Sequence, residues 1–211
     1  MQNIKALLLE PVGCLAEFPS APFHEIAVRF FGRKGKASPS ASRTYWHLLN
    51  LMEAAPLDAE QRAIAETMEL EAVAQATLYE DVCPMLGELK SMGVSVSIAT
   101  SLSRAAVREF INRNSLGDLL MGTCSRDDVG GVKSAPLVHA LGSNPPEQAI
   151  FLADTVEGIK AARTAGVLPI LMMNDPDEAQ RLETHKPAGG VVSLHEIPDF
   201  IRLVAAQNQR G

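Results

Sequence analysis

Several residue types are scarce enough in this chain to exclude whole classes of protein. Only three cysteines occur, Cys14, Cys83 and Cys124, far apart and odd in number. That argues against a disulfide framework or a zinc site and makes a reducing compartment the default. The five histidines are scattered, with none at ligand spacing. No apolar run reaches the length of a membrane span, and the short run after Lys5 is too brief for a signal peptide. Basic residues are outnumbered, 19 Lys and Arg against 25 Asp and Glu, and no basic tract offsets the net charge of -6. Nucleic acid is therefore not an expected partner, and neither is a membrane. There is no internal repeat, and the one biased stretch is the linker "RKGKASPSAS". A soluble cytoplasmic protein is the simplest expectation.

What is present is a globular composition, 46% hydrophobic and 21% charged, over 211 residues, ample for one sizeable core with a small insertion. Apolar runs of strand length recur at 6–9, 94–100, 149–153, 168–173 and 190–193, with a weaker one at 119–124. Between them "MLGELKSM", "RAAVREFINRN", "APLVHAL", "VEGIKAARTA" and "DEAQRLETH" carry apolar positions at helical spacing. This alternation predicts an α/β fold, a Rossmann-like parallel sheet with helices on both faces. Ligands in such sheets lie beyond the C-terminal strand ends, where Glu10, Thr100 and Asp154 fall. Residues 18–79 read instead as helices, "FHEIAVRFFG", "SRTYWHLLNLMEAA" and "DAEQRAIAETMELEAVAQATLY", with no convincing strand. They predict an all-helical cap over 18–79, inserted into a core domain formed by 1–17 and 80–211. Tyr45 and Trp46, on one cap helix, are expected to pack against the core or its mouth.

Four segments carry a family resemblance: "LLLEPVGCL", "SIATSLS", "GGVKSAP" and "IFLADTVEGIKAARTAG". In this order and spacing, over about residues 4–173, they resemble the haloacid dehalogenase superfamily of phosphatases and phosphomutases. The last segment is the most specific and the first the least faithful. In that family the first motif is D-x-D-G-T, whose first Asp attacks phosphorus and whose second protonates the leaving group, with Mg²⁺ neutralising the phosphate. The resemblance places Glu10 at the nucleophile position, Val12 at the acid/base, Gly13 at the glycine and Cys14 at the threonine. Thr100 matches the hydroxyl that grips the phosphoryl group, Lys133 the charge-offsetting lysine and Asp154 the metal-binding acid. The implied catalytic set is thus Glu10, Thr100, Lys133 and Asp154. The implied substrate contacts are Gly13, Cys14, Thr100, Ser101 and Lys133. A weakly held Mg²⁺ would rest on Glu10, the Val12 carbonyl and Asp154. The family's second acid before or after the metal-binding Asp is missing, since those positions are Ala153 and Gly158, and Glu157 is off by one.

These departures bear on activity. Lengthening Asp to Glu shifts the carboxylate by about one C–C bond, and a misplacement near 1 Å costs roughly 10²-fold in rate. Loss of the general acid costs about 10²–10⁴-fold more. Relatives that lack the second Asp keep the first, and some recruit a cap lysine; Lys34 and Lys36 lie in the cap, in a "GRKGK" turn. Cys14 as a substitute nucleophile lacks a histidine nearby in sequence. Thr100, Ser101 and Ser103 could equally cap the helix beginning near Arg104. Three readings follow. The chain is a family member with weak or lost phosphatase activity that binds a phosphorylated small molecule, phosphate or a protein partner. Alternatively it is an active Mg²⁺-dependent phosphatase, phosphoglycolate phosphatase-like, using Glu10. The third is a regulatory or structural protein with no ligand.

Overall fold

The structure is a computed structural model that describes residues 3–33, 38–173, 180 and 183–208. Its centre is a six-stranded parallel sheet. Strand β1 is Ala6–Leu9, β4 is Ser95–Ala99, β5 is Gly122–Cys124, β6 is Ala149–Ala153, β7 is Leu168–Met172 and β8 is Gly189–Val191. The order across the sheet is β5-β4-β1-β6-β7-β8. The chain winds outward from β1 through β4 to β5, then returns to β6 on the other side. That reversal leaves a crevice where β1, β4 and β6 end, and the residues that follow them face it together. β1 and β6 are buried at every position, which is why they read as unbroken apolar runs rather than alternating ones.

Helices α5 (Val82–Ser91), α6 (Arg104–Arg113), the short α7 (Arg126–Val129), α8 (Ser134–Ala140), α9 (Val156–Thr164) and α10 (Glu196–Asn208) accompany the sheet. Ser103 caps α6, its Oγ accepting from the Ala106 amide at 3.2 Å. Most of the helix expected at "DEAQRLETH" lies outside the described residues, as do Lys34 and Lys36.

The cap is helical, with α2 (Ala21–Phe31), α3 (Ala41–Ala54) and α4 (Ala59–Gln75). Gly32, at φ 63°, closes α2; Ser40 caps α3; Asp58 and Gln61 form a reciprocal capping box at the start of α4. The cap joins the core through a two-stranded antiparallel ribbon, β2 (Ala16–Glu17) against β3 (Thr77–Leu78). β3 falls where no strand was expected, because two paired residues are too few to leave an alternating pattern. Aromatic rings span the junction. Phe18 stacks on Phe110 of α6 at 5.8 Å, Phe23 lies 6.2 Å from Phe18, and Tyr45 lies 5.1 Å from Phe23. Phe23, Phe110 and Tyr45 are fully buried. This column fixes α3 over the strand ends.

Candidate active site at the strand ends

After β1 the chain makes one tight turn, α1 (Pro11–Cys14), in which Val12 and Gly13 leave helical conformation, Gly13 at φ 84°. The turn points the Glu10 side chain inward, and Glu10 is 2% exposed. Thr100, which follows β4, donates to Glu10 Oε1 at 2.5 Å. The Tyr45 hydroxyl of α3 lies 3.2 Å from Glu10 Oε2 and 3.2 Å from Thr100 Oγ1. The Val12 amide reaches Glu10 Oε1 at 3.5 Å, and the Leu102 amide donates to Thr100 Oγ1 at 3.2 Å.

The three side chains close a ring of hydrogen bonds. If Glu10 is ionised, the Thr100 and Tyr45 protons are both used on its oxygens, and the edge between Tyr45 and Thr100 has none. If Glu10 is neutral, its own proton can serve Tyr45, whose proton then serves Thr100, so every edge is satisfied. Burial pushes the Glu10 carboxyl up to about 8, against the opposing pull of Thr100, the Val12 amide and Tyr45. Glu10 is therefore mostly a neutral acid at pH 7. Burial, reinforced by Glu10, also raises the Tyr45 phenol well above its ordinary value.

Asp154, after β6, occupies a different setting. Its Oδ1 accepts from Ser42 Oγ of α3 at 2.7 Å, and it lines an open cleft of about 440 Å³ with Gly13, Glu17, Ser42, Tyr79 and Asp81. Glu10 and Thr100 do not line that cleft. Lys133, at φ 60°, donates its backbone N–H to Ser101 Oγ at 2.7 Å, while its ammonium pairs with Glu53 of α3 at 2.6 Å. The structure therefore brings Glu10 and Thr100 together but engages the Lys133 ammonium with the cap rather than with Glu10. The Cys14 thiol donates to the Leu152 carbonyl at 3.4 Å and is raised well above its ordinary value by burial and by Asp154 and Glu10. It is a packed thiol, not a poised nucleophile.

Sequence reasoning placed Tyr45 near the mouth but missed its hydroxyl contacts and the roles of Ser42 and Glu53. Their one signal is that all three lie on α3. Each side chain in the implied catalytic set is thus engaged by this single cap helix, through Tyr45, Ser42 or Glu53. A second link between cap and core was also missed. Glu69 of α4 pairs with Arg126 at 2.5 Å and accepts from the Ser103 amide at 2.9 Å, and both charged side chains are buried.

The residues present do not fit a resident Mg²⁺ ion, which favours several carboxylate and water oxygens in near-octahedral array. Glu10 is largely neutral with both oxygens bonded, Val12 offers no side-chain donor, and one Asp154 oxygen accepts from Ser42. Among the described residues no three His, Cys, Asp or Glu side chains form a group that could hold a metal. Position 158 is crowded for a second acid: a Cβ there would stand 3.1 Å from Ala153 Cβ, 3.2 Å from Thr155 Oγ1 and 3.3 Å from the Trp46 ring, so these neighbours would have to give by a few tenths of an ångström.

Residues 38–172, more than half of the chain, match the family described as haloacid dehalogenase-like hydrolase. The span does not include Glu10 to Cys14. Similar solved structures include a haloacid dehalogenase-like family hydrolase from Streptococcus pneumoniae, 20% identical, covering 95% of this chain and 99% of that one at a TM-score of 0.71. A candidate phosphoglycolate phosphatase from Lactobacillus plantarum is 21% identical, with 94% and 99% coverage and a TM-score of 0.71. CbbY from Rhodobacter sphaeroides, in complex with phosphate, is 20% identical, with 92% and 96% coverage and a TM-score of 0.67. At these identities the likeness is one of fold. No curated protein matches the chain by sequence.

Proposed function

Because the chain belongs to the haloacid dehalogenase-like hydrolase family, we propose that it is a member with weak or absent phosphatase activity, its phosphoryl-transfer position being occupied by its own cap. The observation that carries this is the Tyr45 hydroxyl, bonded to Glu10 Oε2 and within 3.2 Å of Thr100 Oγ1. An attacking carboxylate must be ionised and stand about 3–3.5 Å from phosphorus. Glu10 is largely neutral, and Tyr45 takes the space a phosphoryl group would need. Val12 cannot protonate a leaving group, which removes a further factor of about 10²–10⁴. The roles of Thr100, Lys133, Ser101 and Asp154 in holding a phosphorylated small molecule belong to this same reading. Such a ligand reaches Thr100 only once α3 has moved aside.

The test is steady-state hydrolysis of 4-nitrophenyl phosphate with Mg²⁺. Turnover is expected below the common enzyme range of about 1–10³ per second. Glu10→Asp with Val12→Asp is expected to stay inert, because Tyr45 still fills the position, whereas adding Tyr45→Ala gains Mg²⁺-dependent hydrolysis. Folding of each variant is checked first by thermal melting, since an acid at buried position 12 is costly. Wild-type turnover within the common range would overturn this reading in favour of an active phosphatase using Glu10.

A further inference from the structure

A second cleft, of about 590 Å³, lies between the end of α3, the start of α4 and the core segment from Arg126 to Ala135. Its volume is in the range of small-molecule sites. Neither Glu10, Thr100 nor Asp154 lines it. We propose that this cleft binds a small organic carboxylate with an apolar body, held by the Arg126 Nε–H and the Arg62 guanidinium.

Arg126 is 5% exposed, and its Nε is buried with no hydrogen-bond partner. Its NH1 group is already spent, on Glu69 at 2.5 Å and on the Ser101 carbonyl at 2.8 Å. The Asp127 carboxylate stands 3.9 Å from Nε, beyond hydrogen-bond reach. A buried donor without an acceptor destabilises the fold, so an acceptor delivered through the cleft gains what the folded chain leaves unmet. Arg62, exposed at the start of α4, has no side-chain partner among the described residues.

The acids around the cleft are already engaged. Glu53 pairs with Lys133, Glu69 with Arg126, and Asp127 accepts from the Arg104 amide at 2.8 Å. The donors still to be satisfied are therefore both arginines, which selects an anion. Glu53 and Asp127 line the same walls and disfavour a second negative charge, which selects a monoanion over a phosphate dianion. The remaining wall, Met52, Pro56, Leu57, Val132 and Ala135, is apolar and calls for a hydrocarbon body behind the headgroup.

Phenylacetate is a suitable probe, with phenylacetamide as its neutral isostere and phenyl phosphate as a dianion. Titration of the full chain, followed through the arginine Nε–H resonances in ¹H–¹⁵N spectra, is expected to shift the Arg126 signal saturably. Phenylacetamide and phenyl phosphate are each expected to bind at least about fivefold more weakly, and Arg62→Ala to weaken phenylacetate by about fivefold, an increment typical of an exposed charge contact. Arg62 is exposed, so this variant leaves the fold intact. Equal binding of the acid and the amide would overturn the proposal, as would an unmoved Arg126 Nε–H signal or no saturation up to roughly 50 mM. None of these readouts depends on hydrolysis, so the outcome is separate from that of the phosphatase assay.

Discussion

The ends of β1 and β6 are adjacent in one sheet, and each is followed by an acid, yet the two acids have different surroundings. Glu10 is sealed in a ring with Thr100 and Tyr45 and is held mostly neutral. Asp154, one strand over, borders an open cleft and accepts from Ser42 Oγ. Strand topology sets where an acid arrives. What the cap places against it decides whether it is sealed or left at an open cleft.

The largest way to break this contrast is to unseal the β1 side. Tyr45→Ala is expected to cost about 3–5 kcal/mol, as for other buried aromatics, measured by urea denaturation at pH 6. It should also make Glu10 titrate nearer the ordinary carboxylate range, seen as a lowered midpoint in its side-chain carboxyl ¹³C shift. A loss under 1 kcal/mol would show that the ring does not hold the cap.

The next effect is a matter of pH. The folded-state value of Glu10, about 8, lies above its ordinary 4.5, so the folded chain holds a proton that the unfolded chain releases. Its contribution is fully present below pH 4.5, is lost progressively between 4.5 and 8, and is flat above. Glu10→Gln keeps the neutral ring and removes this dependence. Its stability relative to wild type should therefore climb across that window by a few kcal/mol in all. Parallel stability curves from pH 5 to 9 would contradict the neutral acid.

At Asp154 and at Lys133 the effects are smaller. Ser42→Ala removes one hydrogen bond to the Asp154 carboxyl beside an open cleft and should cost about 1–2 kcal/mol. Lys133→Met severs a pair whose Glu53 partner is 57% exposed and should cost under about 1 kcal/mol. If Lys133→Met proves more damaging than Tyr45→Ala, the cap is anchored at the wrong end of α3 in this account.

Much of the sheet was legible because β1, β4, β6 and β7 are runs of apolar residues bounded by turns. The strand ends followed from them, and with them the positions of Glu10, Thr100 and Asp154. The pairing of β2 with β3 was not, since two residues a side carry no period. The cap contacts were hidden for another reason. Helical spacing marks Tyr45 as buried, but the partner of its hydroxyl depends on how α3 is seated over β1 and β4, which no local pattern encodes. The Lys133 ammonium escaped because its backbone takes φ 60°, and a residue turned that way sends its side chain where an ordinary helix start would not. The Glu69–Arg126 pair joins residues 57 positions apart, a contact that no local pattern encodes.

Gly13 carries a lesson about how such a protein changes over generations. A Cβ at that position would fall 2.2 Å from Asp154 Oδ2 and 2.8 Å from Ser42 Cβ, and its φ of 84° is strained for any side chain. A mutation there must displace the β6 loop and the first turn of α3 together, whether or not any substrate is ever turned over. Steric crowding alone is enough to require a glycine here, whatever chemistry Glu10 and Val12 beside it perform. The glycine of this motif is thus explained by packing and should not be counted as a vote for catalysis.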